Sequence, residues 1–168
     1  MSGTVIDREL PSAEAVDLLD LTRDLVTREL VPRADEAEAA HSFPRELIAH
    51  LGELGLLSLP YPEEFGGGGQ PAVVYLQVLE ELARGWMSVS GVINTHFIVA
   101  YMLRQHGTDE QKKRFLPRMA TGETRGAFSM SEPELGSDVA AIRTRGKRND
   151  DGTYTIDGQK MWLTNGGS

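Results

Sequence analysis

Two short segments of this chain carry residue types that suit a bound cofactor. The first runs Ala-Phe-Ser-Met-Ser-Glu-Pro-Glu-Leu-Gly-Ser-Asp over residues 127–138. A strand that breaks at Glu132-Pro133 and turns at Gly136 would set backbone N–H groups beside the Ser137 hydroxyl, a combination that suits phosphate. A plain Gly-Ser-Asp turn accounts for the same residues. The second segment, Lys160-Met-Trp-Leu-Thr-Asn165, predicts a strand in which Trp162 and Thr164 are two residues apart and share a face. A planar, partly apolar ring with a few polar edge atoms wants that pair; a core Trp beside a solvent-facing Thr is the alternative.

Other residue types point to simpler roles. Four glycines at 66–69 follow a Pro-rich loop and end in Gln70-Pro71, without the preceding strand or the Gly-Lys-Ser/Thr of a phosphate loop. They predict a flexible turn between helices. His96 falls on an apolar helix face with no second ligand at metal spacing, so it predicts a core or pocket-lining histidine. Glu63-Glu64 and Glu80-Glu81 are adjacent, hence divergent on a helix, and form no acid/base dyad. No His lies among the hydroxyls of the C-terminal part, so no Ser/His/Asp set arises.

The elements that must position these residues change character near Gly122. Ser12 caps a first helix that Pro32 should kink or end. A second begins near Pro44, buries Leu47, Ile48, Leu51 and Leu54, and stops at Gly55. A third spans about 72–83, with Val74, Val78 and Leu82 at intervals of four. A fourth spans about 88–105 and lines up Val89, Val92, Ile93, His96, Phe97, Ala100 and Leu103. Thr108 and Gln111 form a capping box for a fifth, and Pro117 and Gly122 close the region.

Beyond Gly122, residues 126–130, 142–147, 153–156 and 160–164 predict short strands. The turn Asn149-Asp-Asp-Gly152 predicts one hairpin and Asp157-Gly158 a second. The fold class is therefore α+β: an all-α helical domain over residues 1–123, then an incomplete antiparallel β domain over 124–168. So short a β region leaves sheet edges and apolar faces open, which implies a truncated chain that self-associates.

Composition narrows the function classes. The 168 residues hold 17 Lys+Arg against 25 Asp+Glu, a formal net charge of −8, which argues against nucleic acid or an anionic membrane as partner. With no cysteine there is no disulfide, thiolate metal site or cysteine nucleophile. The first residues form neither a signal nor a transit peptide, and no apolar run approaches the ~20 residues of a membrane span. The expected compartment is cytoplasmic.

Collinear motifs then bring a resemblance. Leu54-Gly-Leu56, Pro62-Glu-Glu-Phe-Gly-Gly67, Leu79-Glu-Glu-Leu-Ala83, Gly107-Thr-Asp-Glu-Gln-Lys112, Ser131-Glu-Pro-Glu-Leu-Gly-Ser-Asp138 and Gly158-Gln-Lys-Met-Trp-Leu-Thr-Asn165 occur in an order that resembles the acyl-CoA dehydrogenase family. The resemblance implies an N-terminal helical domain, a middle β domain that binds FAD, and a C-terminal helical domain bearing the catalytic carboxylate. No catalytic residue is therefore assigned within this chain. By position it implies FAD contacts at Phe128, Met130, Ser131, Gly136, Ser137, Trp162, Leu163 and Thr164. It also implies an acyl-CoA substrate near Ser137, Ser90, Asn94 and Phe97.

Electrons would pass to an electron-transfer flavoprotein from a homo- or hetero-oligomer. An acyl-CoA oxidase of the same architecture, or an inactive remnant serving as an interaction module, are the competing readings. Two departures from the family pattern stand out. Glu134-Leu135 replaces a small Gly-Ala pair, which threatens the turn, and Phe128 stands where Tyr is frequent.

Overall fold

The computed structural model describes residues 9–167. The expectation that the first residues form neither a signal nor a transit peptide falls mostly outside that range. Helix α1 (Ala13–Leu25) starts where the Ser12 hydroxyl accepts the Ala15 N–H at 3.2 Å. It does not end at Pro32. One wide π turn, Val26–Leu30, carries it into α2 (Val31–Ala39), and the Val31 N–H reaches back five residues to Val26 O. Pro32 has no N–H to give, and an extra residue in the preceding turn accommodates it without breaking the helix. Val26 and Leu30, both fully buried, face the end of α4 (Ala72–Gly85). A Cβ on Gly85 would come within 2.4 Å of Val26, so only glycine admits this approach.

Helix α3 (Arg45–Glu53) buries Leu47, Ile48 and Leu51 as expected. Leu54 is 52% exposed instead, because the helix has ended and Gly55, at φ 78°, turns the chain away. Along α4, Val74, Val78 and Leu82 are buried. On α5 (Met87–His106) the expected face from Val89 to Ala100 is buried, with Leu103 half-buried. Helix α6 (Asp109–Ala120) carries the capping box. Thr108 Oγ1 accepts from Gln111 N at 3.2 Å, and Gln111 Oε1 accepts from Thr108 N at 2.8 Å. Pro117 lies inside the last turns of α6, so Gly122, at φ 77°, closes the region.

The glycine run is pinned rather than flexible. The N–H groups of Gly66, Gly67, Gly68, Gly69 and Gln70 donate to the carbonyls of Glu63, Pro62, Ser58, Tyr61 and Leu59. With every amide spent on the chain, none is left to cradle a phosphate.

After Gly122 the chain forms the hairpin of β1 (Arg145–Arg148) and β2 (Tyr154–Asp157), antiparallel, with Arg145 opposite Asp157 and Arg148 opposite Tyr154. Its turn is the expected one: Asn149 N bonds Thr153 O at 2.9 Å, and Gly152 has φ 84°. No parallel strand pair occurs among the described residues. Residues 126–130 and 160–164 are not regular strands, and Asp157-Gly158 makes no second hairpin. At Gly158 a Cβ would fall 2.4 Å from Thr144 Oγ1, so the chain slips past Thr144 and runs back toward Ser131. All eight residues of the hairpin strands are exposed, including Ile156 at 75%.

Candidate active site

The two segments singled out for cofactor chemistry lie side by side. Phe128 and Thr164 form an isolated antiparallel bridge, and Met161 N–H donates to Ser131 O at 3.0 Å. Phe128, Met130 and Ser131 are thereby brought beside Trp162, Leu163 and Thr164. The means differs from the expected one. Trp162 sits at φ 59°, in the left-handed region, so strand alternation does not align its indole with Thr164. Pairing with residues 128–131 does the positioning instead.

The residues so gathered are apolar with hydroxyl neighbours: Trp162 is 81% exposed, Leu163 and Met130 are nearly half exposed, and Ser131 and Thr164 adjoin them along the chain. The types of group suit a flat heteroaromatic ring, which would need apolar side chains for its face and hydroxyls for its polar edge.

Gly136 and Ser137 lie on an exposed turn. Reciprocal backbone bonds between Glu132 and Leu135, at 2.9 and 3.1 Å, close that turn. Glu134 does not open it, since its carboxylate takes a 2.6 Å bond from Arg143. That pairing also offsets its charge near a would-be phosphate.

Sequence reasoning gave Glu132 no role beyond breaking a strand. It is a buried hub. Its carboxylate accepts from the Thr144 hydroxyl at 2.6 Å, the N–H groups of Arg143 and Thr144 at 2.9 Å, and Lys160 Nζ at 3.0 Å. The Thr144 hydroxyl first, then those two backbone N–H groups, outweigh the cost of burial and hold Glu132 down to about 2. The partners lie 11, 12 and 28 residues away, at distances no local pattern connects.

A second missed feature is the joint between the helices and the C-terminal part. His96, fully buried, accepts the Gly126 N–H on Nδ1 at 3.0 Å, which leaves Nε2–H to donate to Met119 O at 3.0 Å. Burial, aided by the charge of Arg125, lowers it to about 4, with the Met119 bond acting in opposition. Asn165 Nδ2 donates to Gly126 O at 2.9 Å and to Val92 O at 3.0 Å. The expectation of a satisfied core histidine holds, and its partners are Gly126, where the C-terminal part begins, as well as Met119 on the neighbouring helix α6.

A pocket of about 740 Å³ opens between α4 and α5 under the loop at 60–71. Asn94, Phe97, Ile98 and Tyr101 line one wall at helical spacing, with Ala72, Tyr75 and Leu76 opposite. Phe97 meets Tyr61 and Tyr75 edge-on, at 6.4 and 5.7 Å between centroids. Of the residues expected near an acyl group, Asn94 and Phe97 reach this pocket. Ser90 does not line it; its buried hydroxyl donates to Leu79 O at 3.0 Å and ties α5 to α4. Among the described residues no cluster of three or more His, Asp or Glu could hold a metal. No described helix is long and apolar enough to cross a membrane.

The family model for the acyl-CoA dehydrogenase N-terminal domain matches residues 12–123, and that for the middle domain matches residues 127–168. An acyl-CoA dehydrogenase of Bacillus subtilis is 35% identical over 157 residues, covering 92% of this chain and 41% of the relative. Butyryl-CoA dehydrogenase from Megasphaera elsdenii superposes with a TM-score of 0.87 at 33% identity, over 96% of this chain and 43% of that one. An acyl-CoA dehydrogenase from Bacillus anthracis, complexed with FAD, gives a TM-score of 0.82 at 34% identity, over 92% and 27%. The chain thus spans about two-fifths of the length of the curated relatives it matches. By family and by fold, it belongs to the acyl-CoA dehydrogenases.

Proposed function

We propose that this chain supplies the helical wall and part of the FAD site of an enzyme that dehydrogenates acyl-CoA thioesters between the α and β carbons. The observation that supports it is the pairing of residues 128–131 with 161–164, which brings the apolar side chains and the hydroxyl-bearing residues of the two segments together. Phe128, Met130, Trp162 and Leu163 would cover a ring face. Ser131 and Thr164 would meet its polar edge, and Gly136 and Ser137 would lie toward the phosphates. When bound, FAD supplies a hydride acceptor for the β-hydrogen.

The pocket at Asn94 and Phe97 holds the acyl chain, excludes water and orients it. No residue of this chain is assigned the removal of the α-proton. The division at residues 123 and 124 places the acyl wall in the helical unit and the cofactor shelf in the second. Electrons leave to an electron-transfer flavoprotein, and the exposed hairpin and shelf are covered in an oligomer or by further chain. The setting is cytoplasmic.

Titration with FAD tests this reading, because the two tryptophans report separately. Trp86 is 5% exposed and bonded to Glu38, whereas Trp162 stands open. Saturable quenching that disappears in Trp162→Ala is expected. Emission that stays constant in a large excess of FAD would refute the cofactor assignment.

A further inference from the structure

Lys160 joins the two halves of the proposed shelf through its side chain. Its ammonium donates to Met130 O and to Glu132 Oε1, each at 3.0 Å. The side chains of Lys160 and Glu132 are 25% and 6% exposed, so the bond between them is partly shielded from solvent, while the one to Met130 O lies at the surface. Glu132 is itself fixed by Thr144 and by the Arg143 N–H, and through it Lys160 is held in place. Charge-assisted bonds of this kind are the strong ones.

The consequence lies in the peptide they touch. Among the described residues no peptide is cis, and a trans peptide points its C=O and N–H in opposite directions. With the Met130 carbonyl turned onto Lys160, the Ser131 N–H faces the other way. No acceptor among the described residues takes that N–H. Meanwhile the carbonyl of Ser131 is occupied by Met161 N–H, which prevents the residue from rotating freely.

We propose that Glu132 and Lys160 are positioning residues: through Lys160 the pair orients the Met130–Ser131 peptide, so that the Ser131 N–H is presented as a donor to the polar edge of the bound ring. This role rests on the FAD reading above. Neither side chain contacts the ligand.

The test uses Lys160→Met, Glu132→Gln and Lys160→Arg in the full chain. Three quantities are read: FAD affinity with the visible circular dichroism of the bound flavin, amide exchange at Met161, and helix melting at 222 nm. Lys160→Met and Glu132→Gln should each weaken FAD by about tenfold, the equivalent of one hydrogen bond, and alter the flavin dichroism. Helix melting should stay unchanged and Met161 exchange should accelerate. Lys160→Arg keeps a donor for both acceptors and should restore most of the affinity.

An affinity for Lys160→Met within about twofold of wild type would overturn the proposal. So would a loss that merely follows a lowered helix melting temperature. If wild-type chain binds no FAD, the cofactor reading fails separately. The clamp is then judged by exchange, and unchanged protection of Met161 in Lys160→Met would overturn it.

Discussion

Gly126 donates its N–H to His96 Nδ1 at 3.0 Å, so the C-terminal part begins with a hydrogen bond into the buried face of α5. That bond exists only while Nδ1 carries no proton. A protonated ring would set two donors against each other.

Acid should therefore loosen the chain in a defined window. The unfolded chain takes up the His96 proton near the ordinary 6.5, the folded chain only near 4. Stabilisation from neutral His96 is complete above pH 6.5 and is lost as pH falls through 6.5 toward 4, by about 2 kcal/mol at pH 5. The stabilisation from the depressed carboxylate Glu132 is complete above pH 4.5 and is lost only as pH falls below that toward 2, which leaves this window clear. Urea midpoints between pH 7 and 5 should fall in wild type and stay nearly flat in His96→Phe. Parallel slopes in the two would contradict the assignment.

Asn165 and His96 should prove energetically coupled, since both bond the backbone of Gly126. Removing either loses two hydrogen bonds, His96 those to Gly126 and Met119 and Asn165 those to Gly126 and Val92, with a cost of about 1–2 kcal/mol for Asn165→Leu. With one bond gone, Gly126 is free to move and the second should be worth less. The double variant is expected to lose less than the sum, by about 0.5 kcal/mol or more. Strict additivity in a double-mutant cycle would show that the two contacts hold independent segments.

Neighbouring glycines should respond differently to alanine. A Cβ at Gly67 would lie 2.2 Å from Tyr61 O, whereas at Gly68 the nearest atom is 3.5 Å away. Gly67→Ala must displace backbone and should cost about 2 kcal/mol or more; Gly68→Ala should stay within about 0.5 kcal/mol. Thermal melts decide the matter, and equal melting temperatures for both variants would count against the pinned loop.

Trp162→Ala and Thr164→Val should weaken FAD to different extents. Covering one face of the exposed indole is worth about 1.5 kcal/mol, hence about tenfold in affinity. The Thr164 hydroxyl offers one neutral hydrogen bond, about 0.5–1.5 kcal/mol, and should fall at or below that loss. A Thr164→Val variant weaker than Trp162→Ala would reverse the division between wall and edge.

The helices were legible because their signals are local. The buried positions of α3, α4 and α5 recur at helical spacing, and the capping box at Thr108 and Gln111 spans one turn. Pro32 misled for the same reason: locally it breaks a helix, and only the packing of Val26 and Leu30 against α4 explains why the helix continues through a π turn. The strands at 126–130 and 160–164 misled because alternation describes a face without naming a partner. Here the pairing is a single bridge, and Trp162 leaves the strand conformation altogether.

The sequence by itself determined the order of helices before hairpin, the capping of α6, the turn at Asn149–Gly152 and the family. Each of these is written in residues close along the chain or in the order of motifs. Only the tertiary structure decided which distant groups meet: Glu132 with Lys160 across 28 residues, His96 with Gly126 across 30, and Asn165 with Val92 across 73. A buried hydrogen bond depends on distance, direction and exclusion of water, and none of these has a period along the chain.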